Sequence, residues 1–263
     1  MGRRTLCHLE LNVCFPPKAA ISAEPAEHSW LALVCGSMRK RAIIFDLDGT
    51  LVDSNDAHVE AWHRAFAEKG YTFSRAEIHA QVGKGGDNLV PSLLPDVPVE
   101  TQERLAEAAG AIFKCEFMRN VEPFVGASEF LRRLAKRGHT LFLASSASRV
   151  EVDHYVDLLD ADGLITGTTS KDDVLHSKPC PDIFAAALAL TGGPADLAIV
   201  IGDTPYDVLA ARRAGIGAIA VLSGGFAREE LASCNPVAIY ENVRELACDY
   251  EESPLASDPV VDA

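Results

Sequence analysis

Apolar positions along this chain fall into two kinds of pattern. Short, continuous runs occur at Ala42–Phe45, at Thr140–Ala144 before Ser145, at Leu164 and Ile165 before Thr166 and Gly167, at residues 197–201 before Gly202 and Asp203, and at residues 216–222 before Ser223 and Gly224. Such runs, closed by polar or glycine-bearing turns, are expected of strands buried on both faces. Residues 127–137, 148–159, 181–191 and 205–214 carry helical patterns between them. Strands alternating with helices predict right-handed βαβ units, a parallel sheet and an α/β fold.

Residues 55–122 break that alternation. Val59, Trp62 and Phe66 recur at i, i+3 and i+7, and residues 100–118 are rich in helix formers. A helical insertion is expected there, with Gly70 ending its first helix and Glu122-Pro123 marking the return to the sheet. The sheet domain then comprises residues 39–54 and 123–235, followed by a C-terminal helix and acidic tail at 236–263.

Composition changes this picture only at the ends. With 263 residues and 48% hydrophobic content the chain can bury a sizeable core. A formal charge of -14 argues against nucleic acid or an anionic membrane as partner. Residues 249–263 hold five acids, two prolines and no base, and are expected to be solvated and disordered. Residues 1–38 show no clear period and carry Pro16, Pro17 and Pro25 before Met38-Arg-Lys-Arg. They are expected to be a flexible appended extension, dispensable for folding. Arg3 and Arg4 precede no apolar core region, so no signal peptide is read, and Leu6 stands where a myristoylation signal wants Ser or Thr. The cysteines, at 7, 14, 35, 115, 180, 234 and 248, are odd in number and lack Cys-x-x-Cys spacing. Reduced thiols and a cytoplasmic location are expected.

The chemistry-bearing stretch begins where the first run ends. Asp46 and Asp48 stand two residues apart at the carboxyl end of Ala42–Phe45, with Gly49 allowing the backbone to turn. Residues i and i+2 of an extended segment point the same way. Both acids can therefore address one volume beyond the sheet edge, where open α/β sheets place ligands. Two acids so close resist joint ionisation, so a cation joins them or one keeps a proton. An Asp after a strand is also commonly a turn former or helix cap, Ser145 alone reads as a cap, and Lys178 alone reads as a solvent-facing lysine.

Four motifs in order overturn those bland readings. They are Asp46-Leu-Asp-Gly-Thr-Leu-Val-Asp, Ser145 at the end of Leu-Phe-Leu-Ala-Ser-Ser, Lys178 within Ser-Lys-Pro-Cys-Pro-Asp-Ile-Phe, and Gly202-Asp-Thr-Pro-Tyr-Asp207. Over residues 40–235 the chain resembles the haloacid dehalogenase superfamily of phosphatases, of the type with a small helical cap after the first strand. The resemblance implies a Rossmann-like core with an inserted α-helical cap, similar to phosphoglycolate phosphatase and β-phosphoglucomutase-like proteins. It implies Asp46 as the nucleophile that forms an aspartyl-phosphate, and Mg²⁺ held by the Asp46 carboxylate, the Asp48 backbone carbonyl and Asp203. A phosphomonoester carries about two negative charges, so positive groups must intervene before an anion can attack it. Mg²⁺ suits such oxygen ligands, and Lys178 adds a second positive point. Asp48 would protonate the leaving oxygen and then activate water. Ser145 and the backbone N–H of Ser146 would donate to phosphoryl oxygens at a helix start. Asp207 resembles the family acid that positions Lys178 or metal-bound water. The acid at Asp48 favours phosphoryl transfer, because the superfamily's dehalogenases and phosphonatases carry a different residue there.

Substrate choice would lie with the cap. Gln81-Val-Gly-Lys84-Gly-Gly-Asp87 can form a tight loop but lacks the Gly-Lys-Ser/Thr ending of a P-loop. Lys84 and His58 are its specificity candidates, Trp62 is expected to pack within the helices, and His63 and His79 carry no interpretable signal. The expected substrate is a small phosphorylated metabolite and the expected state a monomer or homodimer. A phosphomutase of the β-phosphoglucomutase kind and a non-catalytic metabolite-binding protein remain as alternatives.

Overall fold

The computed structural model describes residues 40–256. The expected N-terminal extension and the end of the acidic tail, residues 257–263, lie outside the described residues. Strand β1 (Ala42–Phe45) leads through β2 (Val52–Asp53) to α1 (Asn55–Glu68), α2 (Arg75–His79), α3 (Gly86–Leu93) and α4 (Val99–Ile112), and the chain returns through β3 (Glu122–Pro123). There follow α5 (Ala127–Lys136), β4 (Thr140–Ala144), α6 (Arg149–Leu158), β5 (Ile165–Thr169), α7 (Asp182–Thr191) and β6 (Ala198–Gly202). The described chain ends with α8 (Pro205–Arg213), β7 (Gly217–Val221), α9 (Arg228–Ser233), β8 (Ala238–Tyr240) and α10 (Val243–Cys248).

Six strands form a parallel sheet in the order β5-β4-β1-β6-β7-β8. From β1 the chain winds first toward β5 and later, in the opposite direction, toward β8. The reversal lies between β1 and β6, and the crevice beyond the carboxyl ends of strands at such a point is where open α/β sheets bind ligands. Asp46 and Asp203 follow those two strands.

Side chains alternate between the two faces of the sheet, as the pleat requires. Ile43, Phe45, Leu141, Leu143, Ile199 and Ile201 pack under α5, α6 and α10, whereas Ile44, Phe142, Val200 and Ala218 pack under α7 and α8. Helices on both faces explain why these strands read as unbroken apolar runs. A third cluster, with Val59, Phe66, Ile78, Leu89 and Leu105, is the cap's own core. Val52 pairs with Pro123 and Asp53 with Glu122, antiparallel, so the chain enters and leaves the cap through one two-stranded tie.

Three features depart from the sequence expectations. β5 does not stop at Thr166-Gly167 but runs to Thr169, because β-branched Thr168 and Thr169 continue the pairing with β4 beyond a register shift. β8, a three-residue edge strand, was too short to leave a periodic signal. The acidic tail is also ordered in its first part: Tyr250, Ser253 and Leu255 are buried. The Tyr250 hydroxyl lies 2.6 Å from His139 Nε2, and the Arg137 guanidinium sits 4.1 Å from its ring centroid. Glu251 stays outside and pairs with Arg137. Two apolar anchors outweigh the acids' preference for water.

Candidate active site

The ladder that holds β1 in place extends one residue past it, through a 2.9 Å hydrogen bond from Asp46 N to Ile201 O. This fixes the Asp46 side chain in the crevice between β1 and β6, where it is 3% exposed. Lys178 Nζ approaches Asp46 Oδ1 at 2.7 Å and Asp207 Oδ1 at 2.7 Å, and is itself fully buried. Asp207 is held in turn at the start of α8, where its Oδ2 accepts from Thr204 N at 3.0 Å and from Thr204 Oγ1 at 2.6 Å. That reciprocal cap fixes the carboxylate that positions Lys178. Of the two roles open to Asp207, the observed contact is the one with the lysine.

Asp203 completes the cluster from the end of β6. Its Oδ1 accepts from Thr50 Oγ1 at 2.9 Å and its Oδ2 from Asn55 Nδ2 at 3.0 Å. The turn after Asp48 presses on it so closely that a Cβ on Gly49, which has φ +73°, would stand 2.2 Å from Asp203 Oδ2. Only glycine fits that approach.

The electrostatics follow from burial. Loss of solvent pushes the Asp46 carboxyl up to about 7, helped by the negative charges of Asp207 and Asp48 and opposed by Lys178. Asp203 is raised as well, by burial first and then by Asp207 and Asp46. Burial alone would push Lys178 down, but Asp207 and Asp46 hold it above its usual value. Three buried carboxylates therefore face one ammonium, a formal deficit of two positive charges. Ligand atoms of Asp46, Asp203 and Asp207 all lie within 4.8 Å of one another, and Asn55 Oδ1 beside them is a buried acceptor with no donor. Hard oxygen ligands with two uncompensated negative charges fit Mg²⁺. Because Asp207 is committed to Lys178 and Thr204, Asp46 and Asp203 are the side chains best placed to hold it.

Asp48 is in the opposite state. Its Oδ1 accepts from Ser54 Oγ at 2.6 Å and lies 3.0 Å from His58 Nε2. Burial pulls its pKa upward, yet the charge and hydrogen bonds of His58 and the bond from Ser54 hold it below its ordinary value. His58 is reciprocally raised, the Asp48 charge overcoming the effect of burial. Its ring stacks on Phe113 at 3.8 Å and 11°. His58, expected to select substrate, thus faces the acid rather than standing free. The Asp48 carboxyl, expected to carry the proton, is tied to it.

Asp46, Asp48, Ser145, Ser146 and Lys178 line one cavity of about 110 Å³, whose opposite wall is the cap loop from Val82 to Gly86 with Trp62, Leu89 and Ala106. Ser145 is buried at the end of β4, its N donating to Thr169 O and its Oγ accepting from Ala147 N, both at 3.1 Å. It does not open α6, whose N-cap is Ser148, closed reciprocally by Glu151. Ser146 Oγ reaches across to Gly83 O at 3.3 Å. Lys84 borders the cavity, but its Nζ is held by Gln81 Oε1 at 2.6 Å and Ser92 Oγ at 3.0 Å, over the Tyr206 ring. Trp62 both lines the cavity and stacks on Phe66 in the cap core. Sequence reasoning missed Thr50 and Asn55, whose partner Asp203 is distant in the chain, and Ser54, which bonds the nearby Asp48. It also missed His79, whose Nε2 lies 2.9 Å from Gly224 O.

The model of the haloacid dehalogenase-like hydrolase family matches residues 43–221. The chain belongs to that family. It is 32% identical over 232 residues to "Probable phosphatase IndB" of Dickeya dadantii, an alignment covering 84% of this chain and 98% of that protein. It is 28% identical over 215 residues to a phosphoglycolate phosphatase of Rhodospirillum rubrum, covering 78% and 89%. The crystal structure of a hydrolase from Pseudomonas syringae superimposes with a TM-score of 0.77 at 32% identity, covering 81% of this chain and 99% of that one. The family member described here is a phosphoric monoester hydrolase, an α/β enzyme with a helical cap. No helix among its described residues is long and apolar enough to cross a membrane.

Proposed function

We propose that this phosphatase hydrolyses a small-molecule phosphate monoester through an aspartyl-phosphate on Asp46, with Mg²⁺ as cofactor. The observation that carries this reading is the opposite state of two carboxylates on one cavity. Asp46 is buried against Lys178 and Asp203, while Asp48 is paired with a raised histidine. Without metal the raised Asp46 and lowered Asp48 run opposite to these roles; Mg²⁺ beside Asp46 would favour its anion, and His58, whose pKa is raised, would supply the proton that Asp48 passes on.

Asp46 attacks phosphorus, the ester P–O bond breaks, and its electron pair goes to the leaving oxygen, which takes a proton from the Asp48 carboxyl. Asp48 and His58, 3.0 Å apart, hold that proton between them. In the second half Asp48 removes a proton from water, which displaces Asp46 and releases inorganic phosphate. Dividing the hydrolysis in two lowers each barrier. Lys178 stays charged throughout, because Asp207 and Asp46 favour its ammonium, and it offsets charge at the nucleophile. Ser145 and Ser146 line the cavity, and in this reading the Ser145 hydroxyl and the backbone N–H of Ser146 donate to phosphoryl oxygens. When bound by Asp46, Asp203 and the Asp48 carbonyl, Mg²⁺ supplies positive charge for the phosphoryl oxygens. A cavity of about 110 Å³ favours a compact metabolite. In this reading residues 39–54 and 123–235 are the catalytic core, 55–122 the cap, and the enzyme is cytoplasmic.

A panel of phosphate esters, assayed for inorganic phosphate with Mg²⁺ and then with EDTA, tests the reading. Mg²⁺-dependent release is expected. Sugar-phosphate isomerisation without net release, or silence on the whole panel, would overturn it.

A further inference from the structure

The glycine-bearing cap loop leaves an assignment open: it is no P-loop, and its lysine is turned to Gln81 and Ser92. What the loop and the first turn of α3 do hold is the segment that carries Lys178. Gly85 N donates to Ser177 Oγ at 3.0 Å. Asn88 Nδ2 lies 3.0 Å from both Ser177 O and Ser177 Oγ and 3.3 Å from Lys178 O. In the opposite direction, Ser177 N donates to Asp87 Oδ2 at 3.0 Å. The fit is tight, since a Cβ on Gly85 would stand 2.6 Å from Ser177 Cβ. Ser177 is 6% exposed and Lys178 0% exposed.

On the other side the core holds the same segment through Arg213 Nη1 and Pro179 O, 2.6 Å apart. Three backbone groups that flank the lysine, Ser177 N, Ser177 O and Lys178 O, are thus held by the cap. Any displacement of the cap that admits substrate must break these bonds, and its return must remake them.

We propose that Asn88 and Asp87 are positioning residues that set Lys178 over Asp46 when the cap closes. Closure and charge neutralisation at the nucleophile then become one event. The inference rests on the proposed role of Lys178 at the phosphoryl group, and it gives the loop a function that its sequence pattern did not. Asn88 does not itself line the cavity or bond Asp46, so its effect passes through the Lys178 segment.

The test uses the full chain with Mg²⁺ and p-nitrophenyl phosphate. Asn88→Asp keeps the shape of the side chain but sets a carboxylate against two carbonyl oxygens, and Asn88→Ala removes the side chain. Ser92→Ala, on the same helix but bonded to Lys84, is the control. Both Asn88 variants should lose kcat by about tenfold with KM within about twofold, the signature of an interaction needed at the transition state. Their melting temperatures should fall by no more than a few degrees, while amide hydrogen exchange at Ser177, Lys178 and Cys180 accelerates. Ser92→Ala should change neither kcat nor exchange. Unchanged exchange at those three amides, a loss confined to KM, or wild-type behaviour of Asn88→Asp would overturn the proposal. A parent enzyme silent on every phosphate ester would instead sink the proposed function, and the exchange experiment would still decide whether Asn88 holds the Lys178 segment.

Discussion

Across the cavity the two walls are built on different principles. On the core side Lys178 joins Asp46 to Asp207, while Thr50 and Asn55 hold Asp203. On the cap side the wall is mostly Ala61, Trp62, Val82, Leu89, Ala106 and glycine backbone; of its two titratable side chains, His58 is turned to Asp48 and serves the chemistry, and Lys84 is bonded back into the cap. A preorganised charged wall fixes what reaction is possible, because its dipoles and charges need no reorganisation as charge moves. An apolar wall excludes water and selects by shape. Apart from Asn55 and His58, which the first cap helix lends to the charged cluster, chemistry and selection therefore lie on opposite walls, and substitutions on the two should differ in size and in kind.

The largest effect is expected at the nucleophile. Asp46→Asn should reduce turnover by about 10⁴-fold or more on every substrate while leaving the fold intact. Asp48→Asn should cost about 10²- to 10⁴-fold on alkyl phosphates, and much less on p-nitrophenyl phosphate, whose leaving group departs without a proton. Steady-state kinetics on the two substrate kinds checks this. Equal losses on both from Asp48→Asn would remove the division of labour between the acids.

A second prediction concerns the charge imbalance of the core wall. Burial raises the Asp46 carboxyl from 3.8 to about 7, and Asp203 is raised with it. Between those values the folded state holds protons that the unfolded state has released, so stability falls as pH rises. The metal-free enzyme should therefore lose thermal stability from about pH 4 to about pH 7. Saturating Mg²⁺, which binds the ionised carboxylates, should restore most of the loss at the upper end. Melting curves in EDTA and in Mg²⁺ across that range test it. A metal-free midpoint that rises with pH, or no response to Mg²⁺, would refute the account of the cluster.

The same contrast explains what could be read from the chain. Asp46, Asp203 and Lys178 were legible because each sits in a contiguous motif, two of them directly after an apolar run. The cap was legible only as helices. His58 lies one helical turn before Trp62, and nothing local indicates that its ring turns back to Asp48, ten positions earlier, rather than toward substrate. Asn88 and Ser177 are 89 positions apart, and their contact exists only once cap and core are packed. In the tail, acidic composition outvoted Tyr250 and Leu255, since average polarity cannot register two side chains that find a pocket. Strand-end chemistry is local in sequence, whereas recognition and anchoring are tertiary.

The smallest effect is expected at Lys84, and it tests the cap wall directly. A lysine that met a substrate carboxylate or phosphate would be a cap determinant, and its loss would raise KM for anionic esters severalfold or more. Here its ammonium is bonded to Gln81 and Ser92 and faces the Tyr206 ring at 4.5 Å, with burial lowering its pKa. These are contacts within the cap and to α8, and an exposed or half-buried tie of this kind contributes roughly 0.5–1.5 kcal/mol. Lys84→Ala should accordingly lower the melting temperature by a few degrees, as a loss of about 1 kcal/mol implies for a domain of this size. KM for any ester should stay within about twofold. Should KM for carboxylated esters rise tenfold while that for neutral ones holds, Lys84 swings from Gln81 to substrate, and the cap wall is charged in the working state.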